Sequence, residues 1–434
     1  MINHPKFIRV SALAGFALFL SCTVHAAAPL PAFPSAQGFG ALATGGRGGP
    51  ICHVTNLNDA GPGSFRDAVS QPHRIVVFDV GGVIRPASNI AVSSDLTLAG
   101  QTAPGDGIAI YGRSVSFSGS HNVIVRHLRF REGIAGDKGK CSVNLSGGNN
   151  MVFDHCSIQW GRWDCLGLTQ GSHDITFQYC IIGEGVDPQR FGSLTDDADN
   201  ITYSHNLWIN NQSRNPKAKG TIQYINNVVC NWGVTGLVGG HSGADHHLDA
   251  IGNYFVKGPA SNDRFVGQFA ATDKVFQRDN YADLDRDGKL NGRLAVEKDF
   301  GSAENAPTFV AAPFLTAPVA VTVDSAEAAC KKVILSAGAS LHRDAVDARL
   351  ISELSSFGKL GKISHSESEV GGQGEIKTGK PLVSTLGDGI ADSWKKSHNL
   401  ALDDAKVAGG DFNHDGYSNL EKYLNELAGD VATK

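Results

Sequence analysis

The chain alternates apolar and polar residues with a period of two, and it repeats the alternation along its middle. Segments starting at Asn122 (NVIVRHLRF), Asn150 (NMVFDHCSIQW), Asp174 (DITFQYCII), Asn200 (NITYSHNLW), Ile222 (IQYINNVVC) and His247 (HLDAIGNYF) share one pattern. The starts recur at a near-constant spacing of roughly 22–28 positions, within the range of solenoid repeats. The pattern opens on a polar turn residue and then alternates, as in Met151/Phe153, Ile175/Phe177 and Ile201/Tyr203. A second short pair follows, such as Cys156/Ile158 or Cys180/Ile182. Period-two alternation marks a strand with one buried face. A strand repeat of this length, with no helical period between copies, predicts a solenoid. The expected fold is all-β, a right-handed parallel β-helix with one rung per repeat. A propeller would need longer, four-stranded repeats.

Solenoid ends need caps. Residues 58–70 (NDAGPGSFRDAVS) predict a turn and a short helix over the N-terminal end. After about residue 300 the rung pattern fades. Residues 324–357 predict helices, and 364–380 predict a polar linker. The expected organisation is a leader at 1–26, a β-helix with its N-terminal cap at 27–315, a C-terminal cap at 316–363, a linker at 364–385 and a small tail at 386–434.

The first residues change where the chain is expected to act. Lys6 and Arg9 precede an apolar run at 10–20, and VHA at 24–26 supplies small residues for cleavage. That is a secretory signal, too short to span a bilayer. The expectation is a secreted protein, extracellular or periplasmic, with no membrane partner. Without the leader, 36 bases face 43 acids, a net charge of −7. This balance argues against a nucleic-acid partner. Export permits disulfides. Seven cysteines remain after Cys22 is removed, so at least one is free or pairs between chains. Cys141 to Cys165 and Cys156 to Cys180 span the same distance in sequence, close to one repeat, which suggests neighbouring rungs. Cys141–Cys165 is the expected disulfide; Cys156 and Cys180 suit reduced thiols in the core.

One stretch departs from the acidic balance. SRNPKAKG gathers Arg214, Lys217 and Lys219 between two strands, with Pro216 fixing the backbone among them. Such a cluster suits an acidic ligand, against the plainer alternative of a solvated loop. In the tail, Asp411, Asn413 and Asp415 precede Gly416 with the oxygen spacing of a Ca²⁺ loop. The residue at its twelfth position is Lys422, with Glu421 beside it.

FPSAQGFGALATGGRGGPICHVTNLNDAGPGSFRDAV, IVVFDVGGVI, LTLAGQTAPGDGI, DHCSIQW and SRNPKAKG occur in that order over residues 33–260. Together they resemble the bacterial pectate lyases of polysaccharide lyase family one, and the tail resembles calcium-loop modules that follow such lyases. The resemblance implies a parallel β-helix and β-elimination of polygalacturonate or pectin, acidic polysaccharides of the plant cell wall. A monomer is expected. Arg214 falls on the family's base. Lys219 replaces a second arginine that holds the substrate carboxylate, exchanging a bidentate fork for a point charge. Lys217 and Arg190 are further substrate contacts. The C5 hydrogen of a uronate is poorly acidic while its carboxylate keeps full charge, so cations there stabilise the enolate-like transition state. Free arginine has a pKa above 12, and neighbouring cations favour its neutral form.

The resemblance also implies catalytic Ca²⁺, but its acidic positions fall on Lys140-Cys141 and Trp163-Asp164, leaving Asp164 as a ligand, with Asp137 or Glu184 as substitutes. A lysine could replace the metal's charge, as a basic residue does in the related pectin lyases. The alternatives are a calcium-independent pectin lyase acting on methyl esters and a non-catalytic carbohydrate-binding β-helix. A hydrolase would need paired carboxylates, and Asp196-Asp197 is the tempting pair in this region. Asp154 and His155 suit a hydrogen-bonded pair at a strand bend.

Overall fold

Each repeat becomes one rung. The computed structural model describes residues 1–2, 29–301 and 305–430, so the expected leader falls almost wholly outside the described residues. The rungs make a parallel β-solenoid of about nine turns. A first face carries Val143–Asn144, Asp164–Leu168, the opening half of Phe191–Ser204, the opening of Lys217–Ile225, Leu237–Val238 and Val266–Gly267. A second face carries His121–Arg126, Asn149–Asp154, Ser172–Gln178 and the strands in line with them. A third face is a ten-stranded sheet from Gly82–Ile84 to Arg293–Leu294, closed by one antiparallel pairing at its end.

The repeated polar starts turn the corners. Asn122, Asn150, Asp174 and Asn200 adopt left-handed backbone with φ between 51° and 58°. Asn and Asp tolerate that region better than most residues. His127, His155, Tyr179 and His205 do the same at the next corner and stack ring on ring, with centroids 4.9–5.0 Å apart. Inside, Val123, Met151, Ile175, Ile201, Ile222 and Leu248 lie opposite one another from rung to rung. Phe153, Phe177 and Tyr203 stack at 4.7 and 5.6 Å. Burial of each such large side chain contributes about 1.5–3 kcal/mol.

The N-terminal helix α1 (Phe65–Ala68) starts on Ser64, whose side chain accepts from Asp67 N–H. Phe65 is buried and packs against Phe78, 6.0 Å away.

Helices α2 (Ala326–Ser336) and α3 (Ala345–Ser355) form where expected, but they do not cross the end of the solenoid. Their apolar faces lie along the outside of the third face, with Cys330, Val333, Leu350 and Leu354 against Ile181, Leu207, Val228 and Tyr254. The third-face strands are apolar on both sides, so their outer row needs this cover. The polar segment expected as a free linker is fastened to the solenoid. Glu367 accepts from Tyr111 Oη and Ile134 N–H, and Gln373 accepts from Arg131. In the tail, α4 (Asp392–Ser397) and α5 (Asn419–Leu427) cover Ile75, Val77 and Ala99.

The expected Cys141–Cys165 disulfide does not form, and all seven described cysteines are free thiols. Val143 lies opposite Leu166, so the rung there is one position shorter than the spacing of these two cysteines. The pair therefore slips by one, which sends the two side chains to opposite faces of the strand. Cys165 faces the core, whereas Cys141 is half-buried outside it. Cys156 and Cys180 sit where rung length and cysteine spacing agree, with Ser157 opposite Ile181, and both are buried.

Candidate active site on the first face

The stretch Ser213–Lys219 crosses the first face. Phe191 bridges to Ser213, Leu194 lies opposite Lys217, and Asp196 lies opposite Lys219. The Asn215–Pro216 bond is cis and Arg214 has φ 62°. The Arg214 side chain is 22% exposed. Its guanidinium lies over the Phe191 ring, 4.1 Å from the centroid, and donates to both Asp164 oxygens at 3.0 and 3.3 Å. Asp164 is buried, and burial pushes its carboxyl up to about 7, with Arg214 and Lys217 opposing that rise.

The other expected contacts divide by whether the protein already neutralises them. Lys219 is held by Asp196 at 2.8 Å. Arg190 faces Asp187 at 3.4 Å. Lys217 makes no ion pair among the described residues, and burial together with Arg214 and Lys219 lowers its ammonium pKa. The hydrolase reading loses its pair, because Asp196 is committed to Lys219.

For catalytic calcium the donor set does not fit. Asp164 is the counter-ion of Arg214, and Asp137 is exposed on a neighbouring loop. Glu184 is closed off by the Arg349 guanidinium, with both contacts at 2.7 Å. Among the described residues the only three metal-ligating side chains with ligand atoms within 4.8 Å of one another are His127, Asp154 and His155. There the two imidazoles stack face to face at 5.0 Å, so one ion cannot lie in both ring planes. Asp154 is spent on Arg126, His155 and Gln178, as expected of a structural pair.

Glu132 is a carboxylate that sequence reasoning missed. It is buried near the site, with one oxygen accepting from Arg162 N–H at 3.3 Å and the other without a partner. Burial pushes its carboxyl from 4.5 up to about 7, and Asp137 adds to the rise. The native state thus keeps a proton that the unfolded chain releases. Stability from this group falls as pH rises from 4.5 to about 7 and stays low above that. Glu132→Gln is expected to be more stable than the wild type by about 2 kcal/mol at pH 8, with the difference gone near pH 4. Denaturant midpoints at the two pH values check this; a constant difference would contradict it.

The tail loop holds its own cation. Lys422 Nζ lies 2.5 Å from Asp411 and 2.9 Å from Asp415, and it also donates to the Tyr417 carbonyl. Those are the first, fifth and seventh ligand positions of a calcium loop, so the ammonium stands where the ion would. Asn413 turns to Asp415 instead, at 3.1 Å. Calcium at Asp411, Asn413 and Asp415 therefore does not fit. The wild type is expected to show no calcium-dependent stabilisation of the tail. Lys422→Glu should gain about 2.7 kcal/mol at calcium a hundredfold above its Kd. Thermal denaturation with and without calcium reads both, and a wild-type calcium shift abolished by Asp411→Asn would overturn the assignment.

No family model matches the chain. A probable pectate lyase C of Aspergillus flavus is 40% identical over 416 residues, covering 94% of this chain and 97% of that protein. The probable pectate lyase C of Emericella nidulans is 40% identical over 407 residues, covering 92% and 93%. Among solved structures, the thermostable pectate lyase PL 47 is similar with a TM-score of 0.54 and 14% identity, covering 72% of this chain and 98% of that one. That likeness bears on the fold. At 94% coverage the similarity reaches well beyond residues 33–260. With 40% identity over nearly the whole of both chains, this protein belongs to the pectate lyase family.

Proposed function

We propose that the chain is a secreted polysaccharide lyase that cleaves polygalacturonate by β-elimination, with Arg214 as the base and Lys217 as the main cation on the substrate carboxylate. The observation that carries this reading is Arg214 itself. It is a partly exposed guanidinium fixed between an aromatic face and a buried carboxylate, and Lys217 beside it makes no ion pair among the described residues. Family membership supplies the reaction class. No helix among the described residues is long and apolar enough to cross a membrane.

In the proposed step a uronate carboxylate sits against Lys217, which draws negative charge out of the ring as C5 loses its proton. Arg214 acts in its neutral form, having first given one proton to solvent, and takes the C5 proton to become a guanidinium. The C5–H electrons form the C4–C5 double bond, the C4–O4 bond breaks, and O4 leaves to be protonated by water. Phe191 and Asp164 hold the base in one orientation, the kind of positioning such transfers need. Lys219 and Arg190 reach substrate only by exchanging Asp196 and Asp187 for a sugar carboxylate. That makes them secondary contacts. No step is assigned to calcium.

The test is incubation with polygalacturonate and with highly methyl-esterified pectin, each with and without chelator. A 4,5-unsaturated uronate, seen as new ultraviolet absorbance, is expected to form faster on polygalacturonate, because Lys217 recognises a carboxylate rather than an ester. Saturated reducing ends would mean hydrolysis, and binding without products a non-catalytic solenoid; either would overturn the proposal.

A further inference from the structure

Residues 160–163 form a tight corner between Ser157–Gln159 and Asp164–Leu168. Longer loops flank it, 132–142 on the preceding rung and 184–190 on the following one. Arg162 stands in this corner, half-buried, and none of the roles above uses it. Its Nη1 donates to the Gly136 carbonyl at 2.8 Å and its Nε to the Asp187 carbonyl at 3.2 Å. Its backbone N–H donates to Glu132 at 3.3 Å. One residue thus ties three successive corners together. The corner itself is drawn close. Val186 N–H donates to the Gly161 carbonyl at 3.0 Å, and Trp163 N–H to the Lys140 carbonyl at 2.9 Å. A Cβ on Gly161 would lie 2.0 Å from the Asp164 carbonyl oxygen, so the chain folds back onto the residue it leads into.

What these corners lead into gives the bonds a purpose. The corner 160–163 ends on Asp164, and the loop 184–190 ends on Phe191. Those are the two groups that hold Arg214, the carboxylate at 3.0 and 3.3 Å and the ring at 4.1 Å. They lie opposite each other on neighbouring strands. The ladder is long where that pairing begins, with Phe191 N–H reaching the Trp163 carbonyl at 3.4 Å, beyond the usual range of about 2.7–3.2 Å. The Arg162 guanidinium crosses the same gap just upstream. It runs from the segment that delivers Asp164 to the segment that delivers Phe191. A guanidinium aims its donors in a fixed plane, which suits two carbonyls on opposite sides; an ammonium cannot reproduce that fork.

We propose that Arg162 is a positioning residue for the elimination. It sets the separation of Phe191 and Asp164, and through them the aim of Arg214 at the C5 proton. This role rests on the lyase reading above. It assigns Arg162 to turnover rather than to substrate binding, because its side chain donates to backbone carbonyls that are not substrate contacts.

The experiment measures kcat, KM and thermal midpoint on polygalacturonate for the wild type, Arg162→Met, Arg162→Lys, Asp164→Asn and Arg162→Met/Asp164→Asn. Arg162→Met is expected to lower kcat about tenfold, less than the roughly hundredfold cost of a full 1 Å misplacement. KM should change by less than about twofold, the pattern of an interaction realised in the transition state. Arg162→Lys should recover part of the loss. In the Asp164→Asn background the same Arg162→Met change should cost less than about threefold, because Arg214 has already lost the carboxylate that Arg162 positions. An unchanged kcat, a loss carried by KM, or an equal loss in both backgrounds would overturn the role. Should Arg162→Met fold poorly, Arg162→Lys carries the test: a reduced kcat at the wild-type thermal midpoint supports the role, and a wild-type kcat overturns it. If the wild type forms no unsaturated product, the lyase reading fails and the positioning is read directly. Phenylglyoxal labelling of Arg214, mapped by mass spectrometry, should then be faster in Arg162→Met, and an unchanged labelling rate sinks the proposal.

Discussion

Arg214→Lys is expected to lower the rate of unsaturated-product formation on polygalacturonate by about a thousandfold, in the range typical of losing a general base. The substitution keeps a positive charge at the position, so loss of charge does not explain the effect. What it removes is geometry. The guanidinium sits over the Phe191 ring while one terminal nitrogen reaches both Asp164 oxygens. An ammonium on a flexible stem cannot stack and donate in that planar arrangement. The variant should fold normally, since Arg214 is partly exposed and lies outside the core. Unchanged thermal stability with lost ultraviolet signal is the expected combination. Retention of more than a tenth of the wild-type rate would remove Arg214 from the role of base.

The solenoid and its centre were legible to different depths. Rungs could be read because Asn122, Asn150, Asp174 and Asn200 do two jobs at once: they tolerate the left-handed corner, and they restart the alternation. The cation trio could be read because charge in a short stretch survives any fold. What those cations face could not. The partner of Arg214 is Asp164, 50 residues earlier and two rungs away, and nothing local announces it. The Lys219–Asp196 pairing sits within reach of register arithmetic, since the two are 23 residues apart, about one rung. Rung length itself varies, and that one-residue uncertainty placed Cys141 and Cys165 on the wrong faces. The apolar stripes of α2 and α3 foretold helices with a buried side, but not whether that side met the end or the flank of the solenoid. The missed signal was LRFR. Arg129 and Arg131 point outward from a strand while the adjacent Glu132 accepts from Arg162 N–H instead, so their acidic cover comes from elsewhere.

That cover sets the largest expected stability effect. Asp347→Ala should destabilise the protein by about 3–5 kcal/mol, the usual cost of stripping one partner from a buried ion network. Asp347 is fully buried at the first turn of α3 and satisfies four groups of the third face. Its oxygens lie 3.0 Å from Arg131, 2.9 Å from Gln159, 2.6 Å from Ser157 and 3.5 Å from Arg129. Alanine would leave Arg129 with a 3.8 Å approach to Asp344 as its one carboxylate contact, beside its bonds to backbone carbonyls, and would orphan Gln159 Nε2. Both arginines are buried, so water cannot replace the lost carboxylate without opening the helix–sheet contact. The defect should be local first. Hydrogen exchange is expected to rise across Ala326–Ser336 and Ala345–Ser355 before the rungs loosen, because a docked flank opens at lower cost than the solenoid core. The double variant Arg131→Met/Asp347→Leu should be less damaging than Asp347→Ala, since removing both charges leaves fewer unpaired ones behind. A loss below about 1 kcal/mol for Asp347→Ala, the level of an exposed ion pair, would mean that apolar packing alone holds the helices to the third face.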